Sequence, residues 1–292
     1  MAEAVVAVGS GDQPSPLPPA RLLSPAGAVG CGAKAATSSL EGQAGLTGDQ
    51  DEAGEHGEWE LRSYGRRRGR KLSDRQAGLL AGLLPRVQLD LTRPAFDQLP
   101  SPIDPPASGG GPDLSRAGET WLEIGFGGGE HLVWQADHNP AVVMIGCEPF
   151  EDGVIKVLTA IAERGLGNIR LWPDDARPLL RWLPAASVAR AFVLFPDPWP
   201  KARHLKRRLL SAATLALIAR VLRPGAQLRI ATDIPDYVRT LFMALQATPG
   251  LRWSARCPAE WRQRPADWPE TRYERKAIRE GRRCIYLQLE RV

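Results

Sequence analysis

The sequence is poor in cysteine, histidine and long apolar runs, and each shortage excludes something. Its 292 residues include four cysteines and four histidines. Cys31, Cys147, Cys257 and Cys284 form no Cys-x-x-Cys pair, and the histidines complete no zinc pattern. No metal centre is expected, and the cysteine usage suits a reducing compartment. No apolar stretch approaches the ~20 residues that a membrane span needs. The N-terminus lacks the basic start and apolar core of a secretion signal. Glu3, Asp12, Glu41, Asp49, Asp51 and Glu52 argue against an acid-poor transit peptide. A cytoplasmic protein with no membrane partner is the expectation. Residues 1–57 hold no aromatic side chain and are rich in Ala, Gly, Pro and Ser. Such a segment buries too little apolar surface to offset its ordering entropy, so a disordered tail is expected there.

The rest of the chain carries the information. Hydrophobic residues make up 43%, enough for a globular core. The net charge of +5 is mild, but the positive residues cluster, which is what phosphate binding requires. A basic arm spans 58–99 and includes Arg67-Arg-Gly-Arg70; Ser73 is placed to cap a helix near Asp74. Residues 100–117 are Pro/Gly-rich and read as a linker. From 118 to 292 strands alternate with helices, which implies a mostly parallel sheet covered on both faces. Expected strands are 120–124, 142–147, 168–172, 191–195, 227–231, 251–255 and 284–290. Expected helices begin near Glu130 and span 151–164, 176–183, 206–222 and 235–247.

In an open α/β sheet, ligands lie beyond the carboxyl ends of the strands. Five successive strand ends here carry an acid. They are Glu123, leading into Ile-Gly125-Phe-Gly127-Gly-Gly129, then Glu148, Asp174-Asp175, Asp197 and Asp233. One such acid is usually a cap or a solvated turn; five in series point to a site. Glu148 lies ~20 residues past the glycine loop, where an acid accepts from both ribose hydroxyls. Glu130 stands where a dinucleotide loop has its third glycine. A carboxylate opening that helix repels pyrophosphate and disfavours a nicotinamide dehydrogenase. A cofactor with a ribose and no phosphate fits, and S-adenosylmethionine is one. Asp175 is placed to accept from the adenine amino group, with Asp174 its rival.

The densest signal is Phe195-Pro-Asp-Pro-Trp-Pro-Lys201-Ala-Arg-His-Leu-Lys-Arg-Arg208. Asp197 is clamped between two prolines that fix φ and donate no hydrogen bond, with Trp199 beside it. Lys201, Arg203, His204, Lys206, Arg207 and Arg208 follow. On an exposed helix start such charge is usually just solvated. Cations at a helix N-terminus are unfavourable, however, and a bound phosphate backbone gives them a purpose. Trp268-Pro-Glu-Thr271-Arg-Tyr-Glu274-Arg-Lys276 reads as a polar loop with an aromatic. His131 and His138 have no evident partner and read as structural.

These residues resemble the bacterial tRNA (guanine-N7)-methyltransferases of the TrmB type. The resemblance runs in order from about residue 60 to 292. It rests on Phe195–Arg208, Glu123–Gly129, Ala231-Thr-Asp233, Thr271–Glu274 and Arg67–Arg70. It implies a Rossmann-like class I methyltransferase fold, α/β, with seven strands, the last antiparallel. It implies that Glu123, Gly125, Gly127, Glu148, Asp175 and Asp197 hold S-adenosylmethionine, with Asp197 catalytic. Lys201, Asp233, Thr271, Arg272, Tyr273 and Glu274 would bind the target nucleotide, and Arg203, His204, Lys206, Arg207 and Arg208 would touch RNA. The expected acceptor is guanine N7 in the variable loop of tRNA, with no obligatory protein partner. Ala202 stands where relatives often carry a second base. The alternatives are a class I methyltransferase acting on another RNA or on protein, and a noncatalytic RNA-binding module of the same fold.

Overall fold

A computed structural model describes residues 67–69, 71–99 and 118–292. The expectations for the tail at 1–57, for most of the basic arm before Lys71 and for the linker at 100–117 lie outside these residues.

Helix α1 spans Asp74–Gly82, and α2 spans Leu84–Val87. Ser73 caps α1 as expected: its hydroxyl accepts from the Gln76 amide, while Gln76 returns a contact to the Ser73 amide. The chain beyond α2 joins the sheet. Leu89 donates its amide to the Leu171 carbonyl and is 1% exposed.

The sheet follows. Its strands are β1 (Thr120–Ile124), β2 (Val143–Cys147), β3 (Ile169–Trp172), β4 (Val188–Leu194), β5 (Leu222–Thr232), β6 (Leu251–Trp253) and β7 (Ile285–Arg291). Their order is β3-β2-β1-β4-β5-β7-β6. The first five run parallel, and β7 pairs antiparallel with both β5 and β6. Every residue of β1 and β2 is buried, which is why β2 reads as a continuous apolar run and β1 as one broken only by Thr120 and Glu123, rather than as alternation. Between them lie α3 (Glu130–His138), α4 (Glu151–Arg164), α5 (Ala176–Trp182), α6 (Ala212–Val221), α7 (Pro235–Gln246), α8 (Ala259–Arg262) and α9 (Arg272–Arg279). Two apolar clusters pack against the sheet.

Three local expectations need correction. The helix expected over 206–222 is broken. A 3-10 helix covers Ala202–Arg207, Arg208 is extended, and α6 starts only after Ser211, whose hydroxyl accepts from the Thr214 amide. The cations of 203–208 therefore do not sit at the N-terminus of a long α-helix, and the dipole argument for their placement lapses. Second, the strand expected over 227–231 starts earlier and takes in Arg223-Pro-Gly225. β5 begins at Leu222, and the ladder jumps from Val188↔Leu222 to Arg190↔Gln227. The intervening residues bulge out, with Gly225 at φ +76. Third, the supposed loop after Thr271 is α9, capped by the Thr271 hydroxyl.

Candidate cofactor and substrate site

The strand order reverses between β1 and β4, and a cavity of ≈ 490 Å³ opens at the carboxyl ends there. Glu148 forms its inner wall. The Gly127 amide donates to Glu148 Oε2 at 2.8 Å, and the Phe150 amide donates to Oε1 at 3.0 Å. The carboxylate is thus aimed by two backbone groups. Burial raises its pKa; the two amide bonds oppose this, and the negative charges of Asp197 and Glu123 add to the rise.

The glycine loop makes room for this arrangement. Gly127 and Gly129 lie at φ +54 and +78, where a β-carbon is strained. The α3 N-terminus that follows is occupied by its own Glu130 carboxylate, which Arg272 Nε approaches at 3.6 Å. No phosphate is invited there. A ribose-bearing, phosphate-free, cationic cofactor fits this wall of carboxylates.

Asp175 lines the cavity and Asp174 does not. Arg177 donates to Asp175 from its backbone at 2.8 Å and from its side chain at 2.8 and 2.7 Å. Burial pushes the Asp175 pKa up, but these Arg177 bonds outweigh it and the net shift is downward. Asp174 takes the Arg67 guanidinium at 2.6 Å.

Asp197 reaches the cavity from the proline loop. Phe195 and Trp199 on either side have φ of +50 and +39. Each costs about 1–3 kcal/mol and persists only where the surroundings impose it. They are imposed here. Phe195 donates its amide to the Ala231 carbonyl at 2.7 Å. Arg208 donates to the Pro198 carbonyl at 2.9 Å, and Arg207 lies 5.0 Å over the Trp199 ring. The result is an exposed Asp197 carboxylate without hydrogen bond or ion pair among the described residues, facing the same space as Glu148.

The other expected residues divide. Gly125, Lys206, Arg207, Arg208 and Tyr273 join Glu148, Asp175, Asp197 and Gly127 on the cavity wall; Trp199 is there too. Lys201 and Arg203 are exposed on the strip outside it, and His204 meets the Trp199 ring edge-on. Glu123 is 2% exposed and does not line the cavity; its Oε2 lies 2.7 Å from His131 Nδ1. His131 therefore has a partner. His138 has one as well, stacking on Trp134. Asp233 is ion-paired with Arg282 at 2.5 Å. Thr271 caps α9, and Glu274, 4% exposed, accepts from the Tyr286 hydroxyl at 2.5 Å. Arg272 leans on Tyr273, with its guanidinium 4.9 Å from the ring centre. Of the Thr271–Glu274 motif, only Tyr273 reaches the cavity. Phe150 and Gly153 were not foreseen, although both lie in the Glu148-Pro-Phe-Glu-Asp-Gly153 turn that any helix after Glu148 must make.

Arg208 is not an exposed RNA contact. It is 6% exposed and donates to Asp236 Oδ2 at 2.7 Å, to the Asp236 carbonyl, to Thr240 Oγ1 and to the Pro198 carbonyl. It ties the proline loop to α7. Replacing Arg208 with Ala should cost roughly 2–3 kcal/mol, because a buried set of bonds to a charged group is lost. A thermal melt that moves by less than a degree or so would refute that role.

Fold and cavity together define a class I, S-adenosylmethionine-dependent methyltransferase. Residues 117–287 match the family described as "Putative methyltransferase". The tRNA (guanine-N(7)-)-methyltransferase of Rhodospirillum rubrum is 46% identical over 239 residues, 80% of this chain and 88% of that protein. The protein of the same name from Nitrobacter hamburgensis is 47% identical over 228 residues, 78% of this chain and 86% of the relative. That of Ruegeria pomeroyi is 54% identical over 176 residues, 60% and 73% respectively. The chain belongs to the tRNA (guanine-N(7)-)-methyltransferase family.

Proposed function

We propose that this protein transfers a methyl group from S-adenosylmethionine to N7 of a guanosine in the variable loop of tRNA, with Asp197 as the catalytic residue. The observation that carries the residue assignment is the Asp197 carboxylate, without hydrogen bond or ion pair among the described residues and held in a strained proline loop on the same cavity as Glu148.

When bound, S-adenosylmethionine supplies an electrophilic methyl group on a sulfonium. The chain does the rest by positioning. Glu148, oriented by two amides, accepts from the ribose hydroxyls, and Asp175 accepts from the adenine amino group. Guanine N7 carries a lone pair and no proton, so no base is required to strip it. Alignment of nucleophile and methyl can supply ~7–11 kcal/mol at best. N7 inside a stacked helix is hard for a bound cofactor to approach, so the guanine is unstacked into the cavity, as other base-modifying enzymes do. Asp197 accepts from guanine N1–H and the 2-amino group, a donor pair that adenine does not present. The ring becomes cationic as N7 is alkylated, and the fixed carboxylate stabilises that charge. Tyr273 and Trp199 supply aromatic walls; Lys201, Arg203, Lys206 and Arg207 face the RNA. A tRNA substrate is consistent with work in the cytoplasm; among the described residues no helix is long and apolar enough to cross a membrane.

The test is direct. Unmodified tRNA incubated with the protein and methyl-labelled S-adenosylmethionine, then digested to nucleosides, should yield labelled 7-methylguanosine. Label in another nucleoside, in ribosomal RNA or in protein would replace this reading with another.

Glu148 makes the cofactor step pH-sensitive. A protonated carboxyl turns one acceptor into a donor and loses a ribose bond. The raised pKa places that loss at higher pH than for an ordinary glutamate, whose reference is 4.5. On acidification, affinity for S-adenosylhomocysteine should fall at a higher pH than an ordinary glutamate would impose, and Glu148→Gln should flatten this limb. Parallel calorimetric titrations of both proteins check it; identical pH profiles would count against Glu148.

A further inference from the structure

The segment Arg272-Tyr-Glu-Arg-Lys-Ala-Ile-Arg-Glu-Gly-Arg-Arg283 carries six basic residues against two acids. Its two ends are tied to the carboxyl edge of the sheet. At the start, Arg272 reaches Glu130 at 3.6 Å, and Tyr273 lies over Gly127, 3.0 Å from where a β-carbon would stand. At the finish, Arg282 grips Asp233 at the end of β5. Glu274 and Ala277 turn inward and are buried. Helix α9 is thus strapped from the glycine loop to β5, beside the cavity mouth.

Its outer face has no internal explanation. Arg275, Lys276, Arg279 and Arg283 are exposed, and their side chains make no hydrogen bond or ion pair among the described residues. Glu280, the carboxylate whose pKa Lys276 and Arg279 help to lower, is already held by Arg282. The helix dipole favours cations in a last turn, which accounts for Lys276 and Arg279 in part. It does not account for Arg275 in the first turn or for Arg283 beyond the helix. Residues 275, 276 and 279 fall on one side at spacings of one and four.

We propose that the exposed face of α9, formed by Arg275, Lys276, Arg279 and Arg283, is a second RNA-backbone contact that grips phosphates flanking the target guanosine across the cavity from the 201–207 strip. The proposal rests on the tRNA reading above. Two basic surfaces then flank one cavity mouth, so an unstacked nucleotide is held from both sides. A polyanion with regularly spaced charge fits such a row of exposed cations better than an acidic protein surface does, because Tyr273 joins the row directly to the space where the base enters.

The experiment compares wild type with Arg275→Ala/Lys276→Ala/Arg279→Ala and with Arg275→Lys/Arg279→Lys. KM for tRNA is measured across a salt series, alongside kcat and calorimetric affinity for S-adenosylhomocysteine. In the alanine variant KM should rise at least about tenfold at low salt, and the slope of log KM against log salt should shrink by about 2–3 for three lost phosphate contacts. Coenzyme affinity, and kcat at saturating tRNA, should stay within about twofold. The lysine variant, which keeps the charge, should retain most of the affinity. Unchanged KM and slope, with 7-methylguanosine still formed, would overturn the proposal and leave this face to an acidic protein partner. A fall in coenzyme affinity to match the rise in KM would also overturn it, by making α9 a structural brace. Absence of 7-methylguanosine from wild type would instead defeat the functional reading.

Discussion

Asp197→Asn should lower turnover about 10²–10³-fold while leaving the dissociation constant of S-adenosylhomocysteine within a few-fold of wild type. The size follows from the cost of removing one preorganised group aimed at developing charge. The substitution is nearly isosteric. Asp197 makes no bond among the described residues that the loop depends on, since the loop is held by Arg208, Arg207 and the Phe195 amide. The geometry should therefore survive while the charge goes. An amide there offers only one acceptor atom, and it cannot balance the cation that N7 alkylation creates. A second effect identifies the mechanism. Asp197 is one of the charges that raise the Glu148 pKa. Its neutralisation should move the acid limb of coenzyme binding to lower pH, towards that of an ordinary glutamate. Single-turnover kinetics and calorimetry measure both quantities. Undiminished turnover would remove Asp197 from the chemistry; an unmoved acid limb would mean that the two carboxylates do not share one cavity.

What the sequence disclosed, and what it hid, follows from the range of the forces involved. The buried parallel strands announce themselves because both faces of β1 and β2 demand apolar side chains. The acids at their ends are legible for the same reason: once the strand ends are known, topology places Glu148, Asp175 and Asp197 on one rim. The partners of those acids are not legible. Glu123 turns to His131 across the glycine loop, and Asp233 turns to Arg282 some fifty residues on, a pairing fixed only by the antiparallel docking of β7. Arg208 looks like its basic neighbours in the sequence. It is distinguished only by four acceptors, on Pro198, Asp236 and Thr240, that the folded chain brings together. Helix α9 was missed because hydrophobic periodicity finds helices, and this one buries just Glu274 and Ala277. A local signal was present: Thr271-x-x-Glu274 has the spacing of a capping box. Half of that box forms, with the Thr271 hydroxyl on the Glu274 amide, while the Glu274 carboxylate goes to Tyr286 and Arg264 instead.

Gly153→Ala should cost coenzyme affinity about 10²-fold, although the residue touches no predicted ligand. Gly153 sits in the first turn of α4, and a β-carbon there would stand 2.1 Å from the Gly127 carbonyl oxygen. That is more than 1 Å inside ordinary contact distance. The helix itself favours alanine by roughly 0.5–1 kcal/mol. Overpacking opposes this with about 1–3 kcal/mol, so the net effect on stability is modest and the protein should still fold. The loop has little freedom to retreat, because the Gly127 amide is bonded to Glu148 and the Tyr273 ring rests over it. Pushing Gly127 away therefore breaks the bond that aims Glu148, and losing well-placed hydrogen bonds to a charged group, at about 1.5–3 kcal/mol, is enough for a loss of this size. The signature is a split: a melting temperature lowered by a few degrees beside a collapse in affinity for S-adenosylhomocysteine. A variant that melts lower yet binds the coenzyme normally would show that the α4 turn supports the fold without setting the site, and that Glu148 is aimed by something other than the glycine loop.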